Sequence, residues 1–374
     1  MARIVVFGSQ AESLVNFRGE LIRHLLARGH EVICLAPSGG TEVDATLARW
    51  GARRLFLPLQ RTGSNPLYDL SALRVLTQLL RAERPDLVLA YTVKPVVYGA
   101  IAARRAGVPR MAAMITGLGI AFAAPRSLRQ RLIGFIARGL YRVAMRRTCT
   151  VFFQNPDNEA VFRGAGLLSP GQTVLRTAGS GVNLERFAAQ PLPPGLGLRF
   201  LMIARLLADK GVREYLEAAA AVRGTHPQAE FHLVGPFDQH PSSIRPDEVA
   251  AAVAQGAVYY HGWADDVKPH LAACHVYVLP SYHEGTPRSV LEAMAVGRPI
   301  VTTDAPGCRE TVRPGENGLL VPPAQAALLA DAMRHMLEMP RDELERMAAR
   351  SRCIAEEVFD VAIVNTRISS ALDL

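Results

Sequence analysis

Pro280-Ser281-Tyr282-His283-Glu284-Gly285-Thr286-Pro287-Arg288-Ser289-Val290-Leu291-Glu292-Ala293-Met294-Ala295 follows an apolar run, 275–279, that reads as a buried strand. After a Gly285-Thr286-Pro287 turn comes a helix, closed by Gly297 and followed by a new strand at Pro299-Ile300-Val301. Thr286 is expected as the N-cap and Pro287 as the first helical residue, where a missing N–H costs nothing. The positive end of that helix makes a place for an anion, with Glu284 just before it and Glu292 about two turns inside.

Two glutamates at this spacing first suggest a hydrolase pair. Eight residues of helix rise roughly 12 Å. Retaining glycosidases hold their carboxyls about 5 Å apart, and inverting ones stay below about 10 Å. Helical spacing therefore disfavours a catalytic dyad, and the pair suits two hydrogen-bond acceptors along an extended polyhydroxylated ligand. The plain alternative is a solvated loop Glu and an unrelated Glu on a helix face.

Outward from this stretch, short apolar runs alternate with helical spacing through the whole chain, the pattern of βαβ units and parallel sheets. In the first half, strands are expected at 4–7, 32–35, 55–59, 87–91, 111–115, 151–154 and 174–177. In the second they are expected at 200–203, 231–234, 258–260, 276–279, 300–303 and 319–321. The segment 191–197, Pro-Leu-Pro-Pro-Gly-Leu-Gly, reads as a linker. A chain of 374 residues exceeds one ordinary core and implies two domains of about 150–200 residues. The expected architecture is α/β: two doubly wound domains with a cleft between them, the last helix, 359–372, crossing back onto the first.

Charge divides the chain. Residues 1–180 hold 24 Lys and Arg against 10 Asp and Glu, a net of +14; the rest hold 18 against 24, a net of −6, which together give the overall +8. One half is thus suited to something anionic. The segment Arg126 to Arg147 carries seven arginines and no acid. Arg131, Arg138, Arg142 and Arg146 fall on one helical stripe, and Leu132, Ile133, Ile136, Leu140, Val143 and Ala144 on the opposite arc. A basic amphipathic helix of this kind reads as a membrane-surface element, docking beside anionic headgroups without insertion. The alternative is an ordinary surface helix with its apolar arc packed on the sheet. Nucleic acid is not expected, because no binding motif or aromatic interleaving accompanies the charge.

Several chemistries lack their signatures. The first turn, residues 8–19, has no GxGxxG, and no GxxxxGK[ST], HExxH, GxSxG or paired-Cys cluster occurs. The five cysteines form no CxxC and suit reduced thiols in a cytosolic protein. The opening residues read as a strand rather than a signal peptide, and no run approaches about 18 apolar residues, so no spanning helix is expected.

Three strand-end turns carry the remaining chemistry. Residues 203–211 follow a strand and open a helix. Arg205 and Lys210 flank the turn and Gly211 allows close backbone approach, a setting for a diphosphate. His261-Gly262-Trp263 could supply backbone groups for a base. With the Glu284 turn, these should gather at the carboxyl edge of one sheet, where ligands bind in such folds.

Together these residues resemble the retaining glycosyltransferases of family 4, with the two-Rossmann GT-B fold, over essentially the whole chain. Glu284 to Glu292 matches the family's EX7E motif, and Arg205…Lys210-Gly211 its diphosphate clamp. Gly181-Val182-Asn183 with Phe187 stands where the family usually has Gly-Val-Asp and Phe. A narrower likeness rests on Tyr91-Thr92-Val93-Lys94-Pro95, on residues 116–122 beginning Thr116-Gly117, and on Pro306-Gly307-Cys308-Arg309-Glu310. It points to the subgroup acting on undecaprenyl-diphosphate sugars, including N-acetylgalactosaminyltransferases of bacterial glycan assembly. The chain departs from members that have a Gly-Gly turn and a donor-side His, since residues 9–18 and Thr116-Gly117 stand there; no catalytic His is assigned.

The resemblance implies an acceptor- and membrane-facing domain, 1–190, with the helix 357–374 packed back on it, and a nucleotide-sugar domain, 191–356. It implies a retaining, metal-independent hexosyltransferase with no cofactor. The sugar, best taken as N-acetylgalactosamine, would move from a UDP-sugar to an undecaprenyl-diphosphate-linked saccharide on the inner face of the cell membrane. Arg205 and Lys210 would neutralise the departing diphosphate and Glu284 would hold sugar hydroxyls. Gly211, His261, Trp263, Gly285, Thr286, Arg288 and Glu292 would contact the donor, Glu292 at the ribose. Lys94, then Asn16 and Arg18, with Thr116 and Gly117, would meet the acceptor. Alternatives are a nucleotide-sugar epimerase of related fold and a non-catalytic nucleotide-sugar-binding protein.

Overall fold

The computed structural model describes every residue except 38, 60–65, 119–121, 123–127 and 196, and the backbone alone of 66, 67, 129 and 130. The chain forms two compact units. Unit 1 is Met1–Ser180 with Val364–Leu374, and unit 2 is Gly181–Ile363. Unit 1 runs β1 Arg3–Phe7, α1 Ala11–Asn16, α2 Gly19–Ala27, β2 Glu31–Ala36, α3 Thr41–Trp50, β3 Arg53–Phe56, α4 Pro66–Glu83, β4 Leu87–Tyr91, α5 Val93–Ala106, β5 Arg110–Ile115, α6 Leu128–Met145, β6 Thr150–Phe153, α7 Pro156–Gly164 and β7 Thr173–Arg176. Unit 2 runs β8 Arg199–Ile203, α8 Val212–Arg223, β9 Glu230–Val234, α9 Pro246–Ala254, β10 Tyr259–Tyr260, α10 Lys268–Ala273, β11 Val276–Leu279, α11 Arg288–Val296, β12 Ile300–Thr303, β13 Gly318–Val321, α12 Ala326–Glu338 and α13 Arg341–Ile354. The last helix, α14 Val361–Ala371, starts in unit 2 and ends in unit 1.

Both sheets are parallel among the described residues. Their orders are β3-β2-β1-β4-β5-β6-β7 and β10-β9-β8-β11-β12-β13. Each winds outward from a central pair, β1 beside β4 and β8 beside β11. At such a pair the connections depart in opposite directions, leaving a crevice at the carboxyl ends of the strands. Helices cover both faces, so the central strands are buried on both sides, which is why they read as continuous apolar runs. In β1, Val5 and Phe7 face a core that includes Leu76, Val97 and Tyr141, while Ile4 and Val6 face one that includes Leu14, Ile22 and Ile368. Successive residues of a strand point to opposite faces.

Some expected boundaries shift. The third strand pairs over Arg53–Phe56 rather than 55–59. Pro58 has no N–H for the ladder, so Leu57 and Leu59 bury their side chains in the core beyond the pairing. The expected linker 191–197 is tied into unit 2. Arg298, fully buried, donates to the carbonyls of Gln190 (3.1 Å) and Pro191 (3.2 Å), as well as to those of Leu271 (2.8 Å) and Ala272 (3.2 Å). Arg341 donates to the carbonyls of Leu192 and Pro193. The chain instead passes between units at Ser180–Gly181 and returns through α14.

Helix α6 departs most from expectation. Its inward side is Gly134, Tyr141, Ala144 and Met145, with Tyr141 set edge-on to Phe162 at 5.2 Å. Of the apolar arc expected to pack, Ala144 is buried and Leu140 partly so, while Leu132, Ile133, Ile136 and Val143 face solvent. No described helix is long and apolar enough to cross a membrane.

Candidate active site

In unit 2 the turns after β8 and β11 meet at the crevice between those strands. After β8, a short 3-10 turn, Ala208–Lys210, leads through Gly211 into α8. Gly211 has φ +74°, and a Cβ there would overlap the carbonyl oxygen of Pro280, so the first turn lies directly on the end of β11. Only glycine fits both demands. The Asp209 carbonyl accepts from the Tyr282 N–H (2.9 Å) and the Ser281 hydroxyl (3.1 Å), fastening the turns together.

This contact places Lys210 Nζ 2.5 Å from Glu284 Oε1, both side chains largely buried. Arg205, at the exit of β8, is paired with Asp238 at 2.8 Å. The Pro306-Gly307-Cys308 segment supports Glu284 from below. The Glu284 N–H donates to the Pro306 carbonyl at 2.8 Å, and a Cβ on Gly307, at φ +83°, would overlap the carbonyls of Glu284 and Gly285. Burial pushes the Cys308 thiol up to about 12, and the nearby Glu284 adds to the effect.

Helix α11 begins at Arg288, one residue later than expected. Pro287 is the N-cap, with an extended ψ of 110°, and its carbonyl accepts from the Val290 and Leu291 N–H groups at 3.1 and 3.2 Å. Thr286 therefore lies before the cap. The N-terminus of α11 still carries the positive end of its dipole. Glu292 accepts from Arg288 at 2.8 Å and is 7% exposed. Desolvation raises its pKa, partly offset by Arg288 and then Arg186.

His261 and Trp263 stand apart from this group. They follow β10, the edge strand, two places from β8. The His261 ring is 2.9 Å from His232 Nδ1 and tilted against His270, while Trp263 is exposed and donates to Asp265 at 3.0 Å. Backbone contacts connect the turn inward: the Gly235 N–H donates to the Gly262 carbonyl at 2.8 Å, and Gly235 lies against Ala204, the neighbour of Arg205.

Sequence reasoning missed three carboxylates or carboxylate partners here. Asp238 holds Arg205, Tyr282 donates to Glu214 at 2.5 Å, and the other Glu214 oxygen is buried without a hydrogen-bond partner. Glu214 sits three residues after Gly211, in the first turn of α8, a position that could have drawn notice for a helix N-terminus. Nothing local marks Asp238.

Unit 1 has its own crevice, between β1 and β4. Thr92, just past β4, has φ +69° and ψ 161°, a conformation costing a non-glycine residue about 1–3 kcal/mol. Its hydroxyl donates to Ser9, and Ser13 and Tyr91 share a hydrogen bond at 2.8 Å. Arg18 is 3% exposed, donates to Ser180 at 3.0 Å and lies 4.9 Å from the Tyr91 ring centroid. Its Nε has no hydrogen-bond partner and no described carboxylate pairs with it. Burial lowers its pKa. Lys94 is in the first turn of α5, held by Asp69 at 2.9 Å, with Tyr98 donating to the same carboxylate. Asn16 is exposed at the end of α1, and Thr116 and Gly117 follow β5, next to β4. Arg18 thus joins the β1–β4 group directly, whereas Lys94 is turned to Asp69.

The comparisons with known proteins follow the two units. A family model described as glycosyl transferase 4-like domain matches residues 15–176, and one described as glycosyl transferases group 1 matches residues 197–339. The chain is 30% identical, over 90% of its length and 89% of the relative's, to the N,N'-diacetylbacillosaminyl-diphospho-undecaprenol alpha-1,3-N-acetylgalactosaminyltransferase of Campylobacter jejuni. It is 27% identical, over 72% of its length and 70% of the relative's, to the UDP-Gal:alpha-D-GlcNAc-diphosphoundecaprenol alpha-1,3-galactosyltransferase of Escherichia coli. Among solved structures it resembles sucrose-phosphate synthase from Thermosynechococcus elongatus, with TM-score 0.80, 19% identity and coverage of 99% and 98% of the two chains. It also resembles Anabaena HepE in complex with UDP, with TM-score 0.78, 20% identity and 99% of each chain covered. With two parallel α/β units of the GT-B type, the chain belongs to the group 1, family-4-like glycosyltransferases.

Proposed function

We propose that this glycosyltransferase moves N-acetylgalactosamine from a UDP-linked donor to an undecaprenyl-diphosphate-linked saccharide, with retention and without a metal, on the inner face of the cell membrane. The observation that carries it is the Lys210–Glu284 pair at the β8–β11 crevice, with Arg205 at the same strand end. Cations there can neutralise a departing diphosphate, and carboxylates beside them can accept from sugar and ribose hydroxyls. The sugar and the lipid-linked acceptor are taken from the relatives' names.

In the proposed step the bond from the sugar's anomeric carbon to the β-phosphate oxygen breaks. An acceptor hydroxyl bonds to that carbon on the same face, and its proton passes to the departing phosphate oxygen. Arg205 and Lys210 balance the charge growing on UDP. Glu284 holds sugar hydroxyls, Glu292 the ribose, and the backbone about Gly285, Thr286 and Arg288 borders the sugar and phosphates. Gly211 lets the phosphates approach, and the His261–Trp263 turn borders the base. In unit 1, Arg18 is the strongest candidate for an acceptor phosphate, with Asn16 two residues before it and Thr116 and Gly117 at the end of β5 as further contacts; Lys94 would have to exchange Asp69 for that role.

The test is label transfer from UDP-N-acetylgalactosamine, UDP-N-acetylglucosamine, UDP-galactose and UDP-glucose into butanol-extractable undecaprenyl-diphosphate saccharide, with and without chelator. Selective transfer from UDP-N-acetylgalactosamine, unaffected by chelator, is expected. Another donor would replace the sugar, loss with chelator would overturn metal independence, and release of a free epimer would replace transfer by epimerisation.

A further inference from the structure

We infer that α6 is a lipid-inserting helix, seating its outer apolar side chains among the acyl chains of an anionic bilayer rather than resting beside the headgroups. Leu128, Leu132, Phe135, Ile136 and Val143 are 81%, 60%, 70%, 51% and 50% exposed. At 3.6 residues per turn they fall within an arc of about 100°, opposite the packed side of Gly134, Tyr141, Ala144 and Met145. Soluble helices turn such a stripe inward. This one is buried on the other side by small and aromatic residues, so the outer stripe is surplus to the fold.

What covers the stripe is indicated by charge. Arg131, Arg138 and Arg142 run along one flank, Arg146 continues the face, and no acid occurs from Arg126 to Arg147. Arg138 and Arg142 also line a groove with Phe135, Gly139 and Ala165, where Arg142 donates to the Ala165 carbonyl at 3.2 Å. Guanidiniums at the edge of an apolar stripe match lipid phosphates above acyl chains, the arrangement of a helix lying in the interface plane. A protein partner would need a strongly acidic face around an apolar ridge. A second copy of this chain would bring the same arginines together, which opposes self-association. Insertion deepens the membrane placement proposed above and rests on it for its purpose, yet it is measured without any sugar substrate.

The experiment uses the full chain with vesicles of phosphatidylglycerol and phosphatidylethanolamine, against phosphatidylcholine. A Phe135→Trp variant should shift its fluorescence to shorter wavelength on the anionic vesicles and be quenched by lipids brominated in the acyl chain. Leu132→Ser with Phe135→Ser should weaken sedimentation with vesicles by about tenfold or more at high and low salt, with an unchanged thermal melt. Arg131→Ala with Arg142→Ala should weaken it at low salt only. Absence of acyl-chain quenching, or undiminished sedimentation of the serine variant, would overturn insertion. So would a lipid-free dimer that the serine variant converts to monomer, since the face would then be a self-interface. Transfer to a detergent-dispersed acceptor should persist in the serine variant. Its loss in wild type and variant alike would sink the proposed transfer and leave insertion standing.

Discussion

Lys210 and Glu284 are held together where a diphosphate would need the cation. In a largely buried pair the cost of desolvation offsets much of the attraction, so a doubly charged phosphate group can compete for Lys210. Lys210→Ala removes the cation and leaves the Glu284 charge facing the ligand. Turnover should fall by roughly 10²–10³, the scale of losing one preorganised charge-stabilising group, and the thermal midpoint should fall as well because Glu284 loses a largely buried partner. Arg205→Ala should act in the same direction, since Asp238 would likewise lose its counter-charge. Turnover within a few-fold of wild type in either variant would remove that residue from the diphosphate. Glu292 makes a different demand. Its raised pKa means that the folded chain binds a proton more tightly there than the unfolded chain does. Stability from this group therefore falls as pH rises from the ordinary carboxylate value of 4.5 toward the raised one. Glu292→Gln should gain thermal stability relative to wild type between pH 4 and pH 8 while losing affinity for UDP. A stability difference that does not change with pH would show that the carboxylate is not desolvated in solution.

At the scale of elements, Gly211 makes the junction between the 3-10 turn and α8 a close packing contact. Gly211→Ala adds a left-handed strain and an overlap with a backbone carbonyl, so it should lower the thermal midpoint by several degrees and weaken UDP binding together. If only one of the two falls, turn position and ligand binding are not coupled through this contact. The elements themselves were largely legible, because strands buried on both faces must be apolar runs and the turns between them are marked by Gly and Pro. That Glu284, Arg205 and Lys210 lie beyond strand ends was legible for the same reason, since parallel topology gathers those ends. The orientation of α6 was not. Apolar residues occur on both of its sides, and which side is buried depends on Phe162 and the sheet beneath, far away in sequence. Asp238 escaped notice because its partner lies 33 residues earlier, across an adjacent strand. The one-residue displacement of α11 followed from the ψ of Pro287, which no spacing rule specifies.

Across the whole molecule, packing assigns the end of the chain to unit 1 and leaves the division of charge as it was. Val364–Leu374 adds one Arg and one Asp, so unit 1 keeps its net +14 and unit 2 its −6. Val364, Ile368 and Leu372 are 1%, 1% and 3% exposed, in the core that holds Ile4, Leu25 and Val32. Polar contacts secure the same helix: Ser369 meets His24 at 3.2 Å, and Arg110 donates to the Leu372 carbonyl at 2.7 Å. Unit 1 thus draws part of its core from residues made after unit 2, and its sheet is incomplete on one face until they arrive. Truncating a buried aliphatic to Ala costs about 2–5 kcal/mol. Ile368→Ala with Leu372→Ala should therefore destabilise unit 1 by more than either change alone, since the two side chains share one cluster, Ile368 from the last turn of α14 and Leu372 from just beyond it. Hydrogen exchange reads this directly. Amides of β1, β2 and β4 should lose protection, while those of β8, β11 and β12, and the affinity of the Lys210 site for UDP, stay as in wild type. Equal loss of protection in both sheets would mean that the chain unfolds as one cooperative body, and that α14 supports unit 2 as much as unit 1.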